Sequence, residues 1–208
     1  MFEEMEKFAG AVTREVRNTE REGKPARVVA AARDYDASIE YLWAAITSPE
    51  RLKRWFSPVS GEFKLGGRYQ IENNAGGTIT RCEPPRELAL TWEFGGGLSW
   101  LEVSLRENGS KARLELRHIA PLDPHWEKYG AGATGVGWDL GLFGLARHIE
   151  NPEAERPPEA DPAWFGSAQA KHFIKLASSG WGEAEAASGA DEAAARAEAT
   201  RKFFSGEA

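Results

Sequence analysis

Residues 129–150 read YGAGATGVGWDLGLFGLARHIE, and the fold turns on how this stretch is understood. At 3.6 residues per turn it resolves into three rows. Val136, Leu140 and Phe143 form one, Trp138, Leu142, Leu145 and Ile149 a second, and Gly137, Gly141 and Gly144 a bare third. Each interior glycine weakens a helix by about 0.8–1 kcal/mol relative to alanine, so the bare row forfeits about 3 kcal/mol of local propensity. Close approach of another backbone, or room for a ligand, must offset that loss. The same stretch carries G-x-G-x-x-G at Gly130, Gly132 and Gly135, the spacing of a dinucleotide-binding turn. That turn works only when a buried strand leads into it and a parallel strand ending in an acid follows its helix. Here PLDPHWEK precedes and NPEAERPPEADP follows, and neither reads as a strand. The segment is therefore expected to be a long helix and not a nucleotide site.

A helix of this kind needs a partner surface, and residues 59–119 supply one. Their period is two, punctuated by Gly66-Gly67, Asn74 with Gly76-Gly77, Gly95 to Gly97, and Asn108-Gly109, a strong hairpin signal. Six consecutive antiparallel strands are expected, near 59–64, 68–73, 78–82, 87–94, 98–106 and 111–119. Leu88, Leu90, Trp92 and Phe94, then Leu101, Val103 and Leu105, then Leu114, Leu116 and His118 mark one apolar face that requires a cover. Upstream, SIEYLWAAITSPERLKRWF reads as two helices, capped by Ser38 and interrupted at Ser48-Pro49. ARVVAAARDYDA is extended. Residues 2–20, with Phe2, Met5, Phe8, Val12 and Val16 three or four apart, read as an amphipathic helix. Beyond residue 150 the composition shifts to Pro, Glu and Ala, with a helix expected to start at Asp161-Pro162 and end near Gly180, and an Ala-rich segment after it.

The 208 residues divide on this reading into an N-terminal helical extension (1–25), a main body (26–150) and a C-terminal acidic, helical extension (151–208). The net charge is −6, and from Glu150 onward eleven acidic residues face six basic ones, so the acidity belongs to the tail. No basic cluster offers a surface to nucleic acid. Ala131–Ala146, interrupted by Asp139, falls short of the roughly 20 apolar residues of a membrane span. One cysteine, Cys82, excludes an internal disulfide, and the compartment expected is the cytoplasm. Trp164, Phe173, Ile174 and Trp181 make the tail too apolar to be only a solvated arm. It is expected to dock on its own body or to serve a homodimer or a protein partner.

Three ordered stretches resemble a known family: DASIEYLWAAITSPERLKRWFSP; then LGGRY with GGTITRCEPPRELALTW; then GWDLGLFGL. Together they resemble the START-related, helix-grip superfamily labelled SRPBCC, and within it proteins similar to the C-terminal domain of the activator of the heat-shock-protein-90 ATPase, over about residues 27–149. The resemblance implies an α+β helix-grip fold, a curved antiparallel sheet of about seven strands wrapped around a long C-terminal helix. It also implies a cavity between the two that in relatives holds apolar molecules. It carries no shared catalytic constellation, and fold alone is a weak guide to activity.

The residues expected around such a cavity are Trp43, Trp55, Phe56, Tyr69, Trp92, Trp100, His118, Trp138, Asp139 and Phe143. An empty space lined by such groups is costly, so packing or a ligand fills it. His118 extends an apolar row and Asp139 interrupts one; either could move a proton, although a histidine satisfied by its neighbours and a carboxylate bonded to backbone or arginine are the plainer readings. No metal site is expected, because Pro121 and Pro124 scatter His118, Asp123 and His125. No Ser-His-Asp or Cys-His arrangement can be assembled, and no cofactor is expected. The function expected is non-covalent binding of a small hydrophobic ligand. The rivals are a polyketide cyclase-like or hydratase-like enzyme and a chaperone-associated or self-associating interaction module.

Overall fold

In the computed structural model, which describes residues 1–154 and 162–206, the chain begins with helix α1 (Phe2–Ala11) and a hairpin of β1 (Thr13–Arg21) and β2 (Lys24–Tyr35). Two short helices follow, α2 (Ile39–Thr47) and α3 (Pro49–Trp55), and then six strands: β3 (Val59–Gly61), β4 (Arg68–Ile71), β5 (Gly76–Glu83), β6 (Glu87–Phe94), β7 (Gly97–Asn108) and β8 (Lys111–Pro121). The long helix α4 (Pro124–Glu150) comes next, then a short 3-10 turn at Pro162–Gly166, α5 (Ala168–Ala187) and α6 (Ala193–Ser205). The strands form one antiparallel sheet in the order β1-β2-β8-β7-β6-β5-β4-β3. This is the helix-grip architecture, with eight strands rather than seven.

The extra strand corrects the reading of the N-terminus. The helix stops at Ala11, and residues 13–21 pair with β2 from Thr13 opposite Ala32 to Arg21 opposite Lys24. Val12 and Val16 lie four apart, a spacing that satisfies a 3.6-residue helix and a two-residue strand alike. Alternation decides: Val16 is buried while its neighbours Glu15 and Arg17 lean outward. As an edge strand, β1 carries Arg, Glu and Asn along its length, which discourages pairing with another chain. At the other expected boundary, Ser38 caps α2 by accepting from the Tyr41 amide at 3.2 Å, as the sequence implied.

The inward rows Leu101, Val103, Leu105 of β7 and Leu114, Leu116 of β8 join Val136, Leu142 and Leu145 of α4 in the main core. Helix α4 is broken at Gly130, whose φ of 57° and ψ of −147° only glycine adopts comfortably. Where the helix restarts, the Ala131 amide donates to Glu185 Oε2 at 3.2 Å, and Arg196 holds the other oxygen of that carboxylate at 2.8 Å. A carboxylate from α5 thus caps α4 at its break. A Cβ on Gly130 would lie 2.1 Å from that carboxylate, one on Gly132 would lie 2.6 Å from Thr200 Oγ1, and one on Gly135 would lie 2.2 Å from the Trp181 ring. The three fingerprint glycines are the seam on which α5 and α6 dock. The tail therefore packs on its own body; α5 runs on past Gly180 to Ala187, and the expected start at Asp161 lies outside the described residues. No described helix is long and apolar enough to cross a membrane.

Candidate functional site

Successive residues of α4 point about 100° apart, so its two long faces do different work. Trp138, Gly141, Leu142 and Leu145 look toward the sheet between β4 and β8, where a cavity of about 120 Å³ remains. Leu88 and Leu90 of β6, Leu101 of β7 and Leu114 and Leu116 of β8 line it from the sheet, together with Ile71, Ile79, Leu52, Trp55, Phe56 and Phe63. These leucines belong to the apolar face that the period of two in the sequence marks, and that alternation is their signal. A Cβ on Gly141 would meet only the Phe56 ring, at 3.9 Å, so the missing side chain leaves room in front of a ring.

Of the residues expected at the site, the structure brings Trp55, Phe56, Tyr69, Trp92 and Trp138 to this wall. The polar atoms of Trp55, Tyr69 and Trp138 are already engaged. Trp55 Nε1 donates to the Ala45 carbonyl at 3.1 Å and Tyr69 OH to the Thr91 carbonyl at 2.7 Å. Burial pushes the Tyr69 phenol well above its ordinary value, helped by Glu93. Trp92 and Trp138 meet edge to face with ring centres 5.2 Å apart.

His118 sits behind these two rings rather than on the wall, 5.8 Å from Trp92 and 5.9 Å from Trp138. Trp138 Nε1 donates to its Nδ1 at 3.1 Å, and its Nε2 lies 2.9 Å from Ser99 Oγ, which donates to the Trp92 carbonyl. Only the neutral Nε2–H tautomer satisfies every member of this chain. Burial lowers the His118 pKa to about 4. With its basic nitrogen taken by an indole, the imidazole has no lone pair to offer a ligand.

Four expected residues lie elsewhere. Asp139, one step around α4 from Trp138, is fully buried on the opposite face, where Arg14 Nε donates to its Oδ2 at 2.9 Å and Trp181 Nε1 to the same oxygen at 3.1 Å. Burial raises its pKa to about 6 against the opposing pull of Arg14 and Trp181. Phe143 shares that face, packed against Phe8 and Phe173 at 5.1 and 5.4 Å. Trp100 lies on the outer side of the sheet in a small cluster with Val28 and Ile119, beneath the Arg21 guanidinium at 5.1 Å. Its even position on β7, opposite in parity to Leu101 and Val103, put it there. Trp43 packs against the core without reaching the cavity. Among the described residues no group of three or more His, Cys, Asp or Glu side chains is placed to hold a metal.

Comparison with known proteins agrees with this architecture. Residues 36–150 match the model of the family described as Activator of Hsp90 ATPase homolog 1-like protein. The crystal structure of CalU16 from Micromonospora echinospora is 33% identical, covering 68% of this chain and 88% of that one with a TM-score of 0.61. The solution structure of CalU16 aligns over 86% of this chain and 97% of that one, at 26% identity and a TM-score of 0.71. This likeness extends well past the stretch matched by the family. The crystal structure of DynU16, from the dynemicin biosynthetic locus, covers 62% of this chain and 49% of that one at 22% identity and a TM-score of 0.55, a likeness of fold alone. No curated protein matches the chain.

Proposed function

The chain belongs to the Activator of Hsp90 ATPase homolog 1-like family, and from that premise we propose that it binds a small, uncharged apolar molecule, without covalent chemistry, in the cavity between the sheet and α4. The observation that carries this reading is the wall itself: aliphatic and aromatic throughout, with the polar atoms of Trp55, Tyr69 and Trp138 already bonded to protein. Such a surface gains from contact with hydrocarbon and offers nothing to a charge. At about 120 Å³ the space suits a single ring, since a dry apolar cavity of about 150 Å³ is known to take benzene. Trp55, Phe56, Tyr69, Trp92 and Trp138 would form the contact surface. A larger guest would require Phe56 to swing away from Gly141.

An enzymatic reading has less support, because His118 is fully engaged behind the wall and Asp139 points into the seam with α5. In our reading the C-terminal helices brace α4 and leave the cavity to the sheet; the protein acts as a carrier or sensor in the cytoplasm. Titration with benzene and indole, followed by the emission of the wall tryptophans and by methyl NMR of the cavity leucines, tests this. Saturable shifts of Leu90 and Leu116 methyls are expected, together with their loss in Gly141→Leu, which fills the space. Shifts that persist unchanged in that variant, or none at all, would overturn the reading.

A further inference from the structure

A second and larger hollow lies beside α1. It measures about 510 Å³, and it is walled by the end of β2 and the last two turns of α4, a size within the usual range for small-molecule sites. At its base stands Arg33. This residue occupies an inward position of β2, opposite Leu114 of β8, where the sequence alternation calls for an apolar side chain. Its guanidinium lies over the Phe8 ring at 4.7 Å and near the Tyr35 ring at 5.2 Å. These two rings hold the planar cation in place. Its Nε and Nη1 are buried and have no hydrogen-bond partner, and it makes no ion pair among the described residues. Buried donors on a charged group are rarely left so, because each unsatisfied one costs about 1–3 kcal/mol or more.

The remaining wall restricts what could complete Arg33. Phe8, Phe143, Ala146 and Ile149 give an apolar side. Carboxylates are present as well, but Asp34 is held by Arg113 and Asn108, and Glu4 lies 3.7 Å from Arg147. Glu3, Asp36 and Glu150 also line the hollow, offset by Lys7 and Lys111. A rim of mixed sign repels a compact di- or trianion yet leaves one buried cation to be matched. We propose that this hollow binds a small organic monocarboxylate, its carboxylate accepting from Arg33 and its apolar body resting against Phe8, Phe143 and Ile149. Charge-assisted hydrogen bonds of this kind are about twice as strong as neutral ones, and the arginine is preorganised for them.

The site is separate from the hydrocarbon cavity, with no wall residue in common, so the two readings stand or fall independently. The test is a titration of the full chain with benzoate, with benzyl alcohol and inorganic phosphate as matched probes, reading the Arg33 Nε–H resonance. Benzoate is expected to move that resonance saturably while the Arg14 Nε–H, tied to Asp139, stays still; the other two probes should leave Arg33 unmoved. By calorimetry, Arg33→Met should weaken benzoate at least about tenfold, and Arg33→Lys should retain part of the affinity. A benzoate titration that leaves Arg33 unmoved, or phosphate or benzyl alcohol moving it equally, would overturn the proposal, and these readings need no variant to fold.

Discussion

Replacing two glycines of α4 by alanine, two residues apart, should change stability in opposite directions. Gly137 is exposed, and a Cβ there would meet no atom within 4 Å. Gly137→Ala therefore keeps the full gain in helix propensity, about 0.8–1 kcal/mol, which for a domain of this size raises Tm by about 2–4 °C. At Gly135 the same Cβ would stand 2.2 Å from the ring of Trp181, a side chain with 0% exposure. Carbon atoms rest about 3.5–4 Å apart, so α5 would have to retreat by more than an ångström. Overpacking of this kind costs about 1–3 kcal/mol. Retreat also pulls Trp181 Nε1 from Asp139 Oδ2, now 3.1 Å away, adding about 1–3 kcal/mol for a buried carboxylate that loses a donor. After the propensity gain, Gly135→Ala should lose about 1–5 kcal/mol. Urea unfolding followed by far-ultraviolet circular dichroism reads both variants, and Trp181 emission reports whether the seam has opened. Gly135→Ala as stable as the parent chain, or Gly137→Ala clearly less stable, would refute the account of Gly135 as seated beneath Trp181 and Gly137 as open to solvent.

Two buried titrating groups should oppose each other in acid. Asp139 sits at about 6 when folded against an ordinary 3.8, so it favours the folded state below 3.8 and loses that contribution, about 3 kcal/mol, as pH rises through 6. His118, at about 4 against 6.5, favours folding above 6.5 and loses a similar amount as pH falls through 4. Between about 4 and 6 the two slopes nearly cancel. Urea midpoints of His118→Gln should therefore rise as pH falls across that window and those of Asp139→Asn should fall; parallel slopes in both variants would contradict the assignment. On the cavity wall, Leu116→Ala should cost about 2–5 kcal/mol while tightening the binding of naphthalene relative to benzene. Unchanged selectivity by calorimetry would show that this leucine does not bound the space.

The six strands after Pro58 were legible as elements, although β3 ends at Gly61 rather than near 64 and β5 begins at Gly76 rather than 78. Their period of two and their glycine turns are local facts, and the β7–β8 hairpin turns through Gly109-Ser110, with Gly109 at a φ of 63° and Asn108 paired with Lys111. The aromatic wall was legible in part. Trp92 follows from strand parity, whereas Trp100, expected at the cavity with the other aromatics, has the outward parity of β7. Asp139 and Phe143 were misplaced because an amphipathic pattern says that a helix has faces without saying what stands before each. In α4 both long faces are buried, one by the sheet and the other by α1 and α5.

The amino-acid sequence by itself determined the elements of this protein and most of their order, because alternation, helical rows, caps and glycine turns are set by neighbours a few residues apart. Only the tertiary structure decided that residues 13–21 are a strand, since a four-residue spacing fits either period and the exposed pairing edge of β2 breaks the tie. It also decided what the glycines are for. Gly130, Gly132 and Gly135 share the spacing of a nucleotide turn, yet their meaning comes from Glu185, Thr200 and Trp181, which arrive from more than about forty residues away. A missing side chain leaves a space, and what fills a space is fixed by packing across the chain and not by the residues beside it.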